Sequence, residues 1–484
     1  MTAHVKLLLI FIILYICIVG TIVSFRHYHF ETQAWDLGIF DQSFWNTIHG
    51  RVMQNSLEEL PNHFGVHISP FLLLLVPGYA IFQSPYYLLL IQTIALGLGA
   101  LPLYFLALNI LQRKNFALLI SAGYLLYPSL HWVNLFDFHE ISFFVPLFLA
   151  AFYYAHKEKW LWAGMFLALS ASVKEDAIFA VLFAGIFLFL FPSLLSAREI
   201  MSKKVPKNAR NRIFWTRTRI IGASVILASA LYFFLATKVI MPAFGGGLLR
   251  LDRYAELGGS VSEIAKNIFL HPLFIFKIAF TAQKLSYLFW IFFPIGFLPF
   301  LAPSTLFLIF PGLLENLLTA FSSQFSGMYQ YDAILIAGMF VGVIYGIKYA
   351  MSQRQVKEKW IYWALLGVFL IGFFFRSPIS PFSFPFSLLA RDERREAFRT
   401  MERLVPKHAS VAAHTNLIPH MSQRPHIYML GREPAPADAV LIDGADYFGF
   451  RTPEEFQKYA DSYALSGEYN IQTFNERYFV FLKK

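Results

Sequence analysis

The chain has 484 residues, of which 57% are hydrophobic and 14% charged, with 54 Phe, 24 Tyr and a formal net charge of +10. A soluble domain carries nearer a quarter charged residues, so this composition excludes an ordinary soluble enzyme and describes an integral membrane protein. The single Cys17 rules out an internal disulfide framework, and the basic residues gather in short connecting segments, where they act as orientation signals and not as a nucleic-acid surface.

Leu7 to Val23 is apolar and just long enough to cross a bilayer, and without a small-residue cleavage site at its end it reads as an uncleaved anchor. Residues 25–66 form a polar loop with short amphipathic stretches, in which Phe40, Phe44 and Ile48 recur at helical spacing. Apolar runs follow at 68–83, 86–110, 116–134, 141–155, 160–173 and 177–195. The segment Ala197 to Arg219 is the densest positive stretch, so the positive-inside rule puts it in the cytoplasm.

Counting back from that anchor puts Arg113, Lys114, Lys157 and Lys159 inside and Asp137 to Glu140 outside. The run Pro70 to Phe82 is short and carries Pro77 and Gly78, so it is expected to be bent or re-entrant, which keeps residues 25–66 outside as well. A full crossing there would put the acidic clusters on opposite faces. Counting forward gives a run at 219–240, a proline-interrupted pair at 285–300 and 302–320, and runs at 333–349 and 361–375. The expectation is a polytopic α-helical membrane protein of about eleven transmembrane helices, with a cytoplasmic N-terminus.

Residues 1–380 make the transmembrane module, with external loops at 25–66, 131–140 and 241–284. Beyond the proline-rich hinge Ser377 to Pro385, residues 385–484 have the composition of a soluble domain. Helical patterns at Arg391–Arg403 and Pro453–Tyr463 alternate with strands at Ser410–Ala413, His426–Leu430 and Ala439–Ile442, which predicts a small external α/β domain without a glycine-rich nucleotide loop.

Two acidic clusters carry the candidate chemistry. Asp36 and Asp41 lie among Trp35, Phe40, Phe44 and Trp45, at an apolar boundary where an unpaired carboxylate is costly; one is expected to be catalytic and the other structural. In Asp137-Phe-His139-Glu140, an extended backbone points Asp137 and His139 the same way, which suits two ligands of Mg²⁺ or Mn²⁺. A boundary histidine paired with a local acid is the alternative. Lys174, and Arg250 and Arg253 after Gly245-Gly-Gly247, are candidate phosphate ligands because ammonium and guanidinium groups match phosphate oxygens. Arg376 joins them, with snorkelling to the interface as its alternative. His63 and His67 are candidates for the same cavity, and Glu315 and Asn316 are expected to face protein.

The run from Trp35 to Asn46, His67 to Pro70, Asp137 to Glu140, Lys174 to Asp176 and Pro419 to Arg424 resemble the membrane-protein family known as domain of unknown function 2079. That family carries no biochemical assignment. The layout is more remotely similar to the C superfamily of polytopic glycosyltransferases, which take a sugar from a polyprenyl-linked donor on the outer face. That resemblance implies a catalytic role for Asp36 and a contribution of Asp137 and His139 to metal binding. The chain departs from it in having Asp41 as a second candidate and in lacking the paired prolines of many members near His67.

The function expected from loop chemistry and resemblance together is transfer of a sugar from a polyprenyl-phosphate donor to a glycan, lipid or protein acceptor at the plasma membrane. A carrier of lipid-linked or small anionic substrates is a second reading, although no inverted repeat is evident. A membrane assembly scaffold is a third.

Overall fold

The computed structural model describes residues 2–194, 216–353, 356–390 and 392–484. Its centre is the helix from Gln330 to Ser352, in which every residue from Ala333 to Ile347 is buried. Gly338, Gly342 and Gly346 recur every fourth residue and put a bare backbone stripe on one face of this helix. Against that stripe run two 3₁₀ turns, Leu298–Leu301 and Pro303–Leu308, so close that a methyl on Gly346 would overlap the Leu298 carbonyl. Small residues at such spacing let backbones approach where lipid supplies no hydrophobic drive to association.

Around this centre, six helices are long and apolar enough to cross a membrane: Ala3–Tyr28, Pro85–Leu111, Lys114–Leu135, Arg217–Ala243, Gln330–Ser352 and Glu358–Arg376. The pair Pro272–Ala279 and Ala282–Ile295, bent by 66°, brings the number to seven if it is one span. The expectation of about eleven is thereby corrected among the described residues. Hydropathy counts apolar runs, whereas a crossing needs length. The runs at 141–155, 160–173 and 177–195 become helices of 13, 12 and 16 residues, roughly 18–24 Å long against a hydrocarbon core of about 30 Å. The last proline-interrupted run breaks into the turn Pro303–Leu308 and the helix Phe310–Leu318.

Between residues 68 and 83 the chain makes only a 3₁₀ turn, Pro70–Leu74, and a helix of six residues, Val76–Ile81. Neither is long enough to cross, so the residues before and after stay on one side. Most of the basic segment 197–219 lies outside the described residues. Far from the first loop, Arg113 and Glu358 pair at 3.0 Å across two helix termini. The stretch 241–284, expected as a loop, carries the helices Val261–Leu270 and Pro272–Ala279.

The C-terminal part is a five-stranded sheet of order β2-β1-β3-β5-β4, made of β1 (Val411–Ala413), β2 (Ile427–Met429), β3 (Ala439–Asp443), β4 (Tyr469–Phe474) and β5 (Tyr478–Lys483). The first three strands are parallel, with Val411 opposite both Ile427 and Ala439, and β5 turns back antiparallel on β3 and β4. Helices Glu393–Leu404 and Pro453–Leu465 complete it. Its core is shared with the first loop: Phe30, Ala34, Ile39 and Leu57 pack in one cluster with Phe398, Val411, Ile418 and Val480.

Replacing Gly346 by Val forces the central helix off the Leu298 backbone. Overpacking of this kind costs about 1–3 kcal/mol or more, so the purified variant is expected to unfold at lower temperature than wild type; an unchanged melting temperature would show that the stripe does not set the packing.

Candidate functional site

The first loop leaves the helix Ala3–Tyr28 and enters a π-helical turn, Ala34–Gly38, before the helix Ile39–Ile48. This wide turn carries Asp36, and such turns frequently mark functional positions. The second acidic cluster comes up beside it. Asp137 adopts a left-handed backbone (φ 47°), its carboxylate accepts the Gln33 amide N–H at 2.7 Å and its carbonyl accepts Gln92 Nε2 at 2.8 Å. That turn aims the following histidine at the loop, and His139 Nε2 lies 2.8 Å from Asp36 Oδ1.

The other nitrogen of His139 is 3.1 Å from the Phe136 carbonyl, which can only accept, so His139 carries a proton there. Burial opposes a charge on His139, but the Asp36 carboxylate against it outweighs burial and lifts its pKa above the ordinary value. When protonated at both nitrogens the ring donates to Asp36 through Nε2 as a charge-assisted bond. Asp36 Oδ2 has no hydrogen-bond partner among the described residues, and the side chain is 15% exposed.

Both residues line a cavity of about 660 Å³. Two more histidine–carboxylate pairs face it. His63 Nδ1 contacts Glu58 at 3.0 and 3.1 Å, and His67 Nδ1 contacts Glu175 at 2.6 Å, while the second oxygen of Glu175 accepts the Ile68 amide at 3.1 Å. Lys174 Nζ lies 3.5 Å from Glu140 and 3.9 Å from Asp176. Burial works against its charge, but these acids prevail and hold its pKa above the ordinary value, so it stays an ammonium.

The glycine stretch Gly245 to Gly247 is packed and not free. The Gly247 amide donates to the Gly65 carbonyl at 3.2 Å, and a methyl on Gly246 would overlap that same carbonyl. This close approach fixes the following arginines to the rim of the cavity. Arg250 is tied to Glu59 by two bonds of 2.9 and 3.1 Å. Arg253 stacks on Phe321 and Tyr331, with the Tyr331 hydroxyl 3.3 Å from Nη1, and makes no ion pair among the described residues.

The remaining sequence candidates lie elsewhere. Asp41 is fully buried outside the cavity lining, with Tyr79 and Ser422 each donating to one carboxylate oxygen at 2.6 Å. It joins the first loop to the C-terminal domain. Beside it, Gln42 donates to the Arg424 carbonyl at 3.1 Å and Ser56 to the Ile427 carbonyl at 2.7 Å, while His420 stacks on His27 with centroids 4.1 Å apart. Arg376 lies over the Trp290 ring at 4.9 Å, in a second cavity of about 650 Å³ that meets the first at Ser323 and Tyr329.

Asp137 and His139 do not make a metal pair as they stand. Asp137 is spent on the Gln33 amide and is absent from the cavity lining, and both nitrogens of His139 are engaged. Among the described residues no group of three or more His, Cys, Asp or Glu side chains is gathered closely enough to hold an ion. As placed, Asp137 and His139 therefore offer no shared donor pair to the expected Mg²⁺ or Mn²⁺, and no chemical step below passes through a metal. Glu58, Glu59, Glu140 and Glu175 are cavity residues that sequence reading did not assign: Glu59 and Glu175 pair with residues distant in the sequence, Glu140 lies in a motif read for its neighbours, and Glu58 pairs locally with His63 in a loop without a recognisable motif.

Residues 26–478 match the family described as "Predicted membrane protein (DUF2079)", and the chain belongs to it. No curated protein matches the chain. Over 97% of its own length and 97% of the other's, it is similar to the crystal structure of ArnT from Cupriavidus metallidurans bound to undecaprenyl phosphate, with a TM-score of 0.55 and 10% identity. At that identity the likeness is one of fold, a glycosyltransferase C-like membrane fold.

Asp41 provides a pH test. Burial raises its pKa from 3.8 to about 6, against the two hydroxyl bonds. A carboxyl raised on folding binds its proton more tightly in the native state, so stability is fully retained below about pH 4 and decreases as pH rises toward 6. Asp41→Asn is expected to flatten that slope in thermal unfolding measured from pH 4 to 7. Asp41→Ala leaves two buried hydroxyls without their acceptor and should cost about 1–3 kcal/mol each at most. An Asn variant with the wild-type slope would contradict this assignment.

Proposed function

We propose that this member of the DUF2079 family transfers a sugar from a polyprenyl-phosphate-linked donor to an acceptor hydroxyl, at the face of the membrane that carries the first loop and the C-terminal domain. The observation that carries the reading is one cavity lined both by an oriented carboxylate, Asp36 on His139, and by a guanidinium, Arg253, that makes no ion pair among the described residues. The fold likeness to a protein whose structure holds undecaprenyl phosphate supports the class of lipid. Apolar side chains of Leu248, Leu249, Ile264 and Ile268 line part of the cavity, as suits a lipid chain entering beside a polar head.

In this mechanism Asp36 Oδ2 accepts the proton of the acceptor hydroxyl as that oxygen attacks the anomeric carbon. The new carbon–oxygen bond forms from one side while the bond to phosphate breaks on the other, which inverts the centre. The lipid phosphate leaves with the electron pair, and its charge is met by Arg253 first, with Lys174 and Arg250 behind it. His139 fixes the carboxylate's orientation, as a positioning residue. With the N-terminus in the cytoplasm, as Arg113 and Lys114 between the second and third long helices favour, this cavity lies outside, in the plasma membrane.

The three histidine–carboxylate pairs around one cavity are also what a proton-coupled carrier would hold. Transport yields movement of substrate without a covalent product, so the two readings separate in one reconstituted assay.

Loss of a general base typically costs 10²–10⁴-fold. Asp36→Asn is expected to lower transfer by at least about 10²-fold while polyprenyl-phosphate binding persists, and full transfer by the purified variant would remove the role. Arg253→Met should weaken polyprenyl-phosphate binding by about tenfold, the worth of one charge-assisted bond. Because the His139 pKa is raised, the ion pair's contribution is fully present below about pH 6.5 and is lost as pH rises through the native value. The transfer rate should therefore show an alkaline limb that His139→Gln abolishes.

A further inference from the structure

One wall of the cavity is made by residues 315–331, and three side-chain amides stand in it. Asn316, Gln324 and Gln330 are 1%, 6% and 8% exposed, and the side-chain oxygen of each is buried with no hydrogen-bond partner among the described residues. Two of the amides are held the right way round by their neighbours. Tyr287 donates its hydroxyl proton to Asp332 at 2.7 Å, so the Asn316 nitrogen, 2.7 Å away, must donate to the Tyr287 oxygen and leave its own oxygen free. Gln324 Nε2 lies 3.4 Å from the Glu315 carbonyl and 3.1 Å from the Tyr254 hydroxyl, which fixes that nitrogen as a donor too. Across the cavity, Glu140 Oε2 is likewise buried and unpartnered.

Buried polar atoms are paired almost everywhere in folded proteins, so a set left unpaired around one cavity marks where a ligand makes the bonds. The four oxygens of this set are all acceptors; His63 Nε2, also unpartnered in the lining among the described residues, lies outside this wall. The matching ligand brings O–H donors to these oxygens, and a carboxylate set against them would place oxygen on oxygen. Arg253 stands on Phe321 and Tyr331, which flank Gln324 and Gln330 in the chain, so a phosphate held by Arg253 lies beside the amide wall.

We infer that Asn316, Gln324 and Gln330 form the subsite for the donor's sugar ring, selecting a neutral polyhydroxylated sugar over a sugar acid. This rests on the transferase reading and narrows its substrate class. The same wall accounts for residues that sequence placed only as facing protein.

The test uses the full chain in lipid nanodiscs and measures binding of three probes: polyprenyl phosphate, the same lipid carrying a hexose, and the same lipid carrying a hexuronic acid. Wild type is expected to bind the hexose-linked lipid at least about tenfold more tightly than the bare phosphate, and the hexuronate no better than the bare phosphate. Gln330→Met removes an unpartnered oxygen at nearly constant volume. It should abolish the gain from the hexose, leave bare-phosphate binding unchanged and leave the melting temperature of the ligand-free protein no lower than wild type. Gln324→Met serves in its place if the first variant does not fold. A hexose that adds nothing in wild type, a gain that survives both variants, or equal binding of the hexuronate would each overturn the inference while leaving the transferase reading standing. Failure of all three lipids to bind would overturn the transferase reading itself.

Discussion

The contact between Asp36 and His139, 103 residues apart in the chain at 2.8 Å, is what makes a site out of two loops. Neither side of it is held by the pair alone. Asp36 sits on a π-helical turn whose leading residue, Gln33, gives its amide to Asp137, and His139 follows Asp137 through a left-handed backbone position that only a few per cent of non-glycine residues adopt. The two clusters lock to each other twice, once through a backbone amide and once through the ion pair. A shift in either loop breaks both bonds.

The C-terminal domain acts on the same loop from the other side. Its core includes Phe30, Ala34, Ile39 and Leu57, and its Thr415 hydroxyl accepts the Ala34 amide and donates to Gln33 Oε1, both at 3.1 Å. The loop carrying Asp36 is thus clamped between the membrane helices and a soluble sheet. Preorganisation of this kind is what a catalytic carboxylate needs, since electrostatic stabilisation is strongest when the groups need not reorganise during the reaction. It also explains why the cavity tolerates so many ionisable groups: Glu58, Glu175 and Asp36 each meet a histidine nitrogen and Glu59 a guanidinium at 2.6–3.0 Å, and the pairing offsets the desolvation that an isolated charge would suffer.

Much of this was legible in the sequence. Composition alone marked a membrane protein, the short proline-containing run at 68–83 kept both acidic clusters on one side, and the alternation of patterns after Pro385 showed strands and helices where β1, β2, β3 and their two helices stand. The final hairpin was passed over, although Tyr469 to Phe474 and Tyr478 to Lys483 flank a turn with Asn475 and Glu476 in left-handed conformation. The number of spans was overread, because an apolar run of 12 or 13 residues, too short to cross, has the same mean hydropathy as one that spans the bilayer. Asp41 and Asp36 could not be told apart from spacing. What separates them is a partner, Ser422, 381 residues away. Glu59, Glu175 and the amide wall were invisible for the same reason, since their meaning lies in long-range pairing or in its absence.

The central claim is that Asp36, held by His139, and Arg253 act on opposite ends of one lipid-linked sugar. A structure of the protein in lipid with a non-transferable phosphonate analogue of a polyprenyl-phosphate sugar tests it most directly. The account predicts the phosphonate oxygens within about 3 Å of the Arg253 guanidinium, with the anomeric carbon facing the free oxygen of Asp36 across room for one acceptor hydroxyl. An analogue seated instead in the neighbouring cavity under Arg376 and Trp290, with Asp36 facing nothing, would contradict it.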